Sequence, residues 1–294
     1  GGATGALKMY GADGKNKGFE YDGTTFVQIN TGMATDTPTH AKVHKNQLFF
    51  SFAGSVQHSG ISTPYVWTVV SGASELACGD TITGFLGLPG VETAGALGIY
   101  TTNRTLILYG NDSTDWNLVP YSETSGALPY TIQFIGQGYC LDTTGILNFA
   151  STQKYGNFQA AVISNKITPF LLSILDNAIS SCVVRKKDQY RVFFSGSSGV
   201  YVTFHGNKIM GMTNISLPVP VQCITSLEGA SGLEEIYFGS NNGYVYQMDI
   251  GTSFDGVAIA WRAEVAYNHF DSPRQLKQFR KCIFETSGSG YSEF

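Results

Sequence analysis

The segment that decides the fold lies in the last third of the chain and reads Ile236-Tyr-Phe-Gly-Ser-Asn-Asn-Gly-Tyr-Val-Tyr-Gln-Met-Asp-Ile-Gly-Thr-Ser-Phe-Asp-Gly256. It opens with a short apolar run, turns through residues that tolerate positive φ and end at Gly243, and continues with aromatic side chains at alternate positions. A second tight turn follows at Asp255-Gly256. Strand, turn, strand, turn and strand is the pattern of a β-propeller blade, in which short antiparallel strands form sheets that pack face to face.

The composition of the 294 residues agrees with this pattern. There are 35 glycines, 13% aromatic residues and only 14% charged residues, which favours many short strands joined by tight turns and argues against a helical bundle. We predict a mostly β fold, with a propeller-like domain of five to seven blades over residues 1–286. Residues 287–294 are predicted to be a linker or the start of a further segment.

Charge and hydropathy exclude two classes of protein. The formal net charge of −4 excludes a generally basic nucleic-acid binder and leaves open only a local basic strip. No run of 18 apolar residues occurs, so we predict no membrane-spanning helix. The chain begins at Gly1-Gly2 without an initiator Met or an apolar leader, which suggests a fragment of a longer polypeptide.

The cysteines lie singly along the sequence, at Cys78, Cys140, Cys182, Cys223 and Cys282. A structural metal site needs clustered ligands such as Cys-x-x-Cys, and no such cluster occurs. We therefore predict five reduced, structural thiols and folding in a bacterial-type cytoplasm.

Other hairpins are predicted along the whole chain. The segment from Phe19 to Ile29 is centred on Asp22-Gly23, the dipeptide that a type I′ turn prefers. Buried strands are predicted to begin near Leu48, Leu106, Tyr139, Tyr190 and Ile236. Their separations of 58, 33, 51 and 46 residues surround the roughly 40–50 residues of a blade repeat, but they are too irregular to give the blade count.

One segment, residues 158–180, departs from the strand pattern. Its apolar residues are spaced as on a helix, but Pro169 interrupts the segment. A short turn followed by a helix from about Thr168 is therefore predicted. Such an inserted helix would cap a hydrophobic edge or, alternatively, form a subunit contact.

Residues that could carry chemistry are predicted to be structural. Asp22, Asp142, Asp249 and Asp255 lie in turns flanked by glycine, where an Asp side chain caps the backbone. Paired carboxylates of a glycosidase type are not evident. His40 and His44 have the spacing of two metal ligands on a helix, but their segment is predicted to be a strand, on which they lie far apart. We predict no catalytic residue, no cofactor and no metal.

Aromatic residues in turns leave a second class of function open. Tyr65, Trp67, Trp116 and Tyr121 could bind a sugar by ring stacking if they were exposed. The alternative is that they fill the space between blades.

A basic cluster near the end of the chain is the main irregularity in charge. It consists of Arg274, Lys277, Arg280 and Lys281. If this segment is a strand, its lysines would either protect a solvated edge, pair with acidic groups of a neighbouring subunit, or contact nucleic acid.

The late segment also resembles a known family. Residues 236–256, followed by Ser272-Pro-Arg-Gln-Leu-Lys-Gln-Phe-Arg-Lys281, are similar to the C-terminal part of virion structural proteins of short-tailed phages. Upstream, Phe19-Glu-Tyr-Asp-Gly-Thr-Thr-Phe26, His44-Lys-Asn-Gln-Leu48 and Tyr155-Gly-Asn-Phe158 resemble the same group more loosely.

The resemblance implies a structural role in a virion tail and no catalytic residues. It implies a nozzle or tube subunit with a propeller domain, which forms a ring, commonly a hexamer, and contacts neighbouring tail or adaptor proteins. Genomic DNA would pass through the ring without specific binding, and assembly would take place in the bacterial cytoplasm. We then expect lumen-facing turns to be acidic or neutral and the basic cluster to face other subunits. The alternative is a receptor-binding, carbohydrate-binding or carbohydrate-cleaving propeller of a tail spike or fibre.

Overall fold

Antiparallel strands dominate the fold in a computed structural model, which describes residues 7–88, 95–149, 162–206, 208–262, 274–278 and 281. About 47% of the structure is strand and 6% is helix, so the prediction of a mostly β fold with little helix is confirmed. No helix among these residues has the length and hydropathy that crossing a membrane requires.

The strands form consecutive sheets in which each strand pairs with its neighbour in sequence. The first three sheets are β1 (Met9–Gly11), β2 (Phe19–Tyr21) and β3 (Phe26–Gln28); β4 (Ala41–His44), β5 (Gln47–Phe52), β6 (Ser55–His58) and β7 (Ser74–Ala77); and β8 (Ile82–Gly87), β9 (Leu97–Thr101), β10 (Thr105–Tyr109) and β11 (Asn117–Ser122). The next three are β12 (Gln133–Ile135), β13 (Gln137–Asp142) and β14 (Gly145–Asn148); β15 (Ala178–Val184), β16 (Gln189–Phe194), β17 (Ser198–His205) and β18 (Lys208–Ser216); and β19 (Cys223–Glu228), β20 (Glu234–Gly239) and β21 (Val245–Met248).

The hydrophobic core is divided among the spaces between successive sheets. Phe50 packs with residues of the first and second sheets, and Leu97 with residues of the second and third. Tyr100 belongs to a cluster between the third and fourth sheets, Tyr190 to one between the fourth and fifth, and Ile236 to one between the fifth and sixth. The second to fifth sheets are therefore covered on both faces, and the first and sixth each pack on one neighbour in these clusters, which is how propeller blades bury apolar surface.

Strand β5 shows why this sequence suits such a position. Leu48 and Phe50 face the first sheet, whereas Phe49, the residue between them, faces the third. Side chains alternate across a strand, so a strand that is covered on both faces needs a continuous apolar run. All three side chains are at most 2% exposed.

The predicted inserted helix is present but short. Helix α1 (Thr168–Leu172) has Pro169 in its first turn. Backbone N–H groups in the first turn have no acceptor within the helix, so a proline there costs no hydrogen bond. The apolar residues beyond it form a 3-10 turn and the start of β15, so the helical spacing does not continue to residue 180. Leu171 is fully buried in the core cluster between the fourth and fifth sheets, which supports the capping role. Residues 150–161 lie outside the described residues.

Turn geometry confirms most of the predicted turn positions. Gly243, between β20 and β21, has φ of 85°. Asp255 and Gly256 have φ of 50° and 84° and join β22 (Ser253–Phe254) to β23 (Val257–Ala258), as a two-residue type I′ turn requires. The type predicted for Asp22-Gly23 is wrong, because only Gly23 has positive φ.

The loop at Asp22 has four residues, and the side chain of Asp22 determines its shape. The backbone N–H groups of Thr24 and Thr25 donate hydrogen bonds to Oδ1 of Asp22, over 2.9 and 2.7 Å. The hairpin itself is therefore as predicted, but an Asx-type turn replaces the two-residue turn.

We expect Gly243→Val to lower the free energy of unfolding by more than about 1 kcal/mol, because a β-branched residue resists positive φ. A Cβ at this position would meet no atom within 4 Å, so the effect would come from the backbone alone. Gly243→Asn is the control, since Asn tolerates this conformation. Equal melting temperatures for Gly243→Val and the wild type would contradict the prediction.

By its internal contacts the chain divides after Gly251. The six sheets lie in the unit Gly1–Gly251. The unit Thr252–Phe294 contains the hairpin of β22 and β23 among its described residues. Residues 287–294, predicted to be a linker, lie outside the described residues.

Candidate functional site

A cavity of about 650 Å³ lies where the first strands of the six sheets meet. Strands β1, β4, β8, β12, β15 and β19 all contribute residues to its wall. The first strand of a propeller blade is the one nearest the axis, so this cavity is the axial space of the ring of sheets. Its volume is in the range of small-molecule sites.

The wall of the axial cavity mixes apolar and polar residues and carries no formally charged side chain among the described residues. Three of its residues have an enclosed polar atom with no hydrogen-bond partner in the protein: Nε2 of His40, Oγ1 of Thr83 and Oγ of Ser180. Thr83 and Ser180 are only 4% and 7% exposed. An unpartnered buried polar group costs about 1–3 kcal/mol, so these enclosed atoms, which are not accessible from the open space of the cavity, lower the stability of its wall.

Tyr130 stands at the wall of the cavity in an unusual conformation. Its φ is 61°, and its side chain is 62% exposed. The hydroxyl of Ser181 on β15 donates to the carbonyl oxygen of Tyr130 over 2.7 Å, which holds this loop against the fifth sheet. The Tyr130 ring lies 5.7 Å from the His40 ring.

His40 is neutral at ordinary pH, because burial lowers the pKa of its imidazole. Its Nδ1 lies within hydrogen-bond distance of the hydroxyls of Thr39 and Ser51, at 3.0 and 3.1 Å. These contacts fix the ring while Nε2 remains without a partner.

A second polar site, the Arg191 network, joins the fifth and sixth sheets. The guanidinium of Arg191 on β16 is 1% exposed and donates two hydrogen bonds to the carboxylate of Asp249, over 3.2 and 2.6 Å. It also donates to Oε1 of Gln189 and lies 4.2 Å above the Tyr201 ring. Lys187 contributes a further ion pair to Asp249 at 2.9 Å.

The Arg191 network keeps Asp249 ionised. Burial alone would raise the pKa of this carboxyl group, but the hydrogen bonds from Arg191 and Lys187 outweigh that effect and lower the pKa. The backbone of Asp249 has φ of 65°, a conformation that Asp tolerates better than most residues. Since Arg191 and Lys187 belong to the fifth-sheet region and Asp249 follows the last strand of the sixth, the network links the two sheets.

A third cluster of buried polar side chains lies around His58. Its Nδ1–H donates to the Ser59 carbonyl oxygen over 3.0 Å, and its Nε2 accepts from the indole N–H of Trp116 over 3.0 Å. Burial lowers the pKa of His58. Nearby, His44 stacks on Trp116 at 6.2 Å, and burial lowers the pKa of His44 to about 4.

We expect the stability of the protein to fall as the pH drops from about 7 towards 4. The unfolded chain binds protons on these histidines near pH 6.5, whereas folded His44 does so only near its pKa of about 4. Acid therefore favours the unfolded state across this interval. His44→Phe keeps a ring against Trp116 and should flatten the dependence of melting temperature on pH. An unchanged slope in His44→Phe would contradict the assignment.

The predicted turn aspartates divide into two groups. Asp142 caps its turn as predicted, accepting hydrogen bonds from Thr144 and Gly145, and Asp22 does the same in its own turn. Asp249 is a correction, since its carboxylate binds Arg191 and Lys187. Gly251, which follows two residues later, has a positive φ of its own, at 72°.

The segment with His40 and His44 is a strand, as predicted, with His44 at the end of β4. Within the described ranges no group of three His, Cys, Asp or Glu residues could hold a metal ion. Cys78 and Cys182 are buried and free, which raises the pKa of these thiols to about 11 and about 12. Cys140 is also free and buried, whereas Cys223 is free and exposed. Cys282 lies outside the described residues.

Most of the aromatic residues considered for sugar stacking are used in packing. Trp67 stacks on Phe50 at 5.3 Å, and Tyr121 stacks on Phe149 at 4.3 Å. Trp116 is part of the His58 group. Tyr65 is the most exposed of the four, with 44% of its surface accessible to solvent.

Three of the four residues of the basic cluster, Arg274, Lys277 and Lys281, lie within the described residues. Arg274 to Gln278 form a turn and irregular backbone, so the conditional strand is not found over these residues. Arg274 and Lys281 are exposed, and Lys277 is partly buried. Arg280 lies outside the described residues. The assignment of these four residues to subunit contacts remains a prediction.

The sequence did not lead us to predict roles for two residues of these sites, Arg191 and Tyr130. Arg191 is a charged residue inside the apolar run Tyr190-Arg-Val-Phe-Phe194, and an Arg in such a run signals a buried partner. Tyr130 had no comparable signal, because its role depends on a loop conformation and on strands distant in sequence.

No family model and no curated protein sequence matches this chain. Solved structures with a similar fold include BBS1N in complex with ARL6DN, at 12% identity and a TM-score of 0.53 over 83% of this chain and 73% of that one. They also include Raptor from Chaetomium thermophilum, at 13% identity and a TM-score of 0.50 over 76% of this chain and 20% of that one. Identities this low show the fold alone. With six sheets around one axial cavity, the chain folds as a β-propeller.

Proposed function

We propose that this chain is a structural subunit of the tail of a short-tailed phage, of the nozzle or tube type. Copies of the chain associate into a ring, with a hexamer as the expected form, and genomic DNA passes through the ring during ejection. Neighbouring tail or adaptor proteins bind the ring, which is assembled in the bacterial cytoplasm and resides in the virion.

The proposal rests on the contacts made by residues 236–256, the segment that resembles the phage family. Gly243 forms the tip of a hairpin, and the Tyr246 ring stacks on Phe238 at 5.2 Å. Asp249 receives the buried Arg191 of the preceding sheet. Gly243, Phe238 and Tyr246 thus shape the sixth sheet, and Asp249 joins it to the fifth. This is the contribution expected of a motif in a scaffold protein.

The size of the axial cavity supports a path for DNA outside the propeller. A space of about 650 Å³ suits a small molecule and not a duplex. In the proposed assembly the conduit therefore lies between subunits, at the centre of the ring that the copies form. The net charge of −4 per chain suits such a conduit, because fixed cations in the lumen would bind phosphate and slow transit.

The proposal is tested by the assembly state of the full-length protein. We expect negative-stain images and sedimentation analysis to show closed rings with a central channel. Replacing Arg274, Lys277, Arg280 and Lys281 together by alanine should weaken ring formation and leave DNA affinity near zero at physiological salt. The matched control replaces four exposed lysines elsewhere, namely Lys15, Lys17, Lys166 and Lys208, and should assemble normally.

Two outcomes would count against this assignment. A wild-type protein that remains monomeric at high concentration, alone and with its tail partners, would contradict the ring. Intact rings that lose a salt-dependent DNA affinity on alanine substitution would place the basic cluster in the channel, as a brake on DNA.

The second candidate is a receptor-type propeller that binds carbohydrate. One observation favours it, namely the uncharged axial cavity with the exposed ring of Tyr130 in its wall.

A further inference from the structure

We propose that copies of this chain join edge to edge, by antiparallel pairing of strand β18 of one copy with strand β3 of the next. The inference rests on the proposed ring and identifies a surface through which its subunits meet, in addition to the basic cluster.

Strand β18 is an edge strand without the usual protection. It is the longest strand in the described part of the chain, with nine residues, and within that part it pairs only with β17. Most of its residues are exposed. Exposed edges normally carry prolines or charged side chains, which prevent pairing with another chain. Strand β18 contains no proline, and Lys208 at its first position is its only charged residue.

The outer strands of three other sheets differ from β18 in this respect. Strand β7 carries Glu75, and β11 contains Pro120. Strand β14 is buried along its whole length, so its edge is not available. An unprotected edge as long as β18 is an open site for a partner strand.

The hydrogen-bond pattern shows which backbone groups of β18 can bind a partner. The N–H of Leu217, just after the strand, donates to the carbonyl oxygen of Ser197 over 2.9 Å, and the register with β17 is regular over this stretch. Alternate residues of an antiparallel strand bond the same neighbour. Met212, Asn214 and Ser216 therefore direct their N–H and C=O groups away from β17.

Strand β3 offers a second open edge. It is the outer strand of the three-stranded first sheet, and all of its residues are exposed. The N–H of Ile29 donates to the carbonyl oxygen of Gly18 over 2.7 Å, so Phe26 and Gln28 direct their backbone groups away from β2. Phe26 is 58% exposed and Val27 is 37% exposed. Pairing at this edge would therefore also cover apolar surface.

The directions of the two strands suit an antiparallel pair. In a propeller the first strands of all sheets run the same way along the axis, and sequential strands within each sheet here are antiparallel. Strand β3, a third strand, therefore runs with the first strands, whereas β18, a fourth strand, runs against them. Two copies with parallel axes bring β18 and β3 together in opposite directions, which is the more stable pairing.

The positions of the two sheets give a closed ring. Six sheets spaced evenly around one axis stand about 60° apart, so the fifth and first sheets, two steps apart, point about 120° apart. This is the angle between the two neighbours of a subunit in a six-membered ring, and a head-to-tail contact forms a ring only if its rotation closes. Strand β21 of the sixth sheet is also uncharged, but at one step from the fifth sheet, about 60°, it would close a ring of about three copies.

The test blocks each edge with a lysine and follows assembly of the full chain by sedimentation velocity. Asn214→Lys on β18 and Gln28→Lys on β3 should each raise the concentration at which rings form at least tenfold, because a charge on an edge opposes pairing. Gln247→Lys is the matched control, since Gln247 is exposed on β21, and it should assemble as the wild type does. All three side chains are exposed, so the melting temperatures should stay close to that of the wild type. Ser216→Lys blocks the β18 edge at a second position.

Mixing the two edge variants tests the head-to-tail arrangement. A chain blocked at β18 keeps its β3 edge, and a chain blocked at β3 keeps its β18 edge, so the mixture should form dimers and no larger assembly. Normal rings in Gln28→Lys, or in both Asn214→Lys and Ser216→Lys, would overturn the inference and leave the proposed function standing. Loss of rings in Gln247→Lys alone would overturn it in favour of the β21 edge. A wild-type protein that forms no ring would contradict the proposed function itself, and this contact with it.

Discussion

Arg191→Met should lower the free energy of unfolding by about 3 kcal/mol, which is the loss expected when a buried ion pair loses one partner. The guanidinium is 1% exposed and makes two hydrogen bonds to Asp249. Methionine fills much of the same volume but leaves the carboxylate with Lys187 as its remaining cation. We place the loss at the lower end of the usual range because the Asp249 side chain is 23% exposed and water can solvate it in part.

The measurement is chemical denaturation at pH 7, with two controls. Arg104→Met removes the ion pair with Glu123, whose side chains are 42% and 56% exposed, and should cost less than about 1 kcal/mol. Adding Asp249→Asn to Arg191→Met removes the carboxylate charge that has lost its buried partner and should recover part of the loss. Equal losses for Arg191→Met and Arg104→Met would show that the buried Arg191–Asp249 pair stabilises the protein no more than an exposed ion pair does.

Gly126→Ala should cost at least about 2 kcal/mol, as overpacking does where the surroundings cannot move. A Cβ on Gly126 would lie 2.1 Å from the Thr101 carbonyl oxygen and 2.5 Å from that of Thr102. These are backbone atoms, and the loop is held on the other side by a hydrogen bond of 3.1 Å from the Ser125 hydroxyl to Asp142. Neither side can give way cheaply.

Gly211→Ala is the matched control for Gly126→Ala. Neither glycine has positive φ, but a Cβ on Gly211 in β18 would meet nothing within 4 Å. Its substitution should be neutral or slightly stabilising, because alanine restricts the unfolded chain. Similar melting temperatures for both variants would mean that the loop at Gly126 adjusts freely, contrary to the contacts described.

Local sequence predicted those features of the fold that depend on neighbouring residues. The hairpin at Gly243 and the turn at Asp255-Gly256 follow from residues that tolerate positive φ. The apolar run around Phe49 predicted a buried strand, and the structure covers that strand on both faces. The type of turn at Asp22 was missed because two hydrogen bonds to its side chain, and not the Asp-Gly dipeptide alone, determine the loop.

Features formed by distant segments could not be predicted in the same way. Arg191 and Asp249 are 58 positions apart, and neither residue alone indicates the other. The axial cavity is formed by the first strands of six sheets, which are spread over most of the chain. The number of blades could not be predicted because the loops between the sheets vary in length. The basic cluster suggested a contact, but what a charged surface binds depends on molecules outside the chain.

The sequential pairing of strands has a consequence for how the protein reaches its folded state. Within the described part of the chain, every strand of the six sheets pairs only with strands next to it in sequence, so each sheet needs only a short loop to close before it gains its hydrogen bonds. During synthesis, each sheet can form as soon as its own segment has left the ribosome, and it can then dock on the sheet before it. The docking of the sixth sheet on the fifth, through the cluster around Ile236, must wait for nearly the whole of residues 1–251. That last step is the one we expect to be slow.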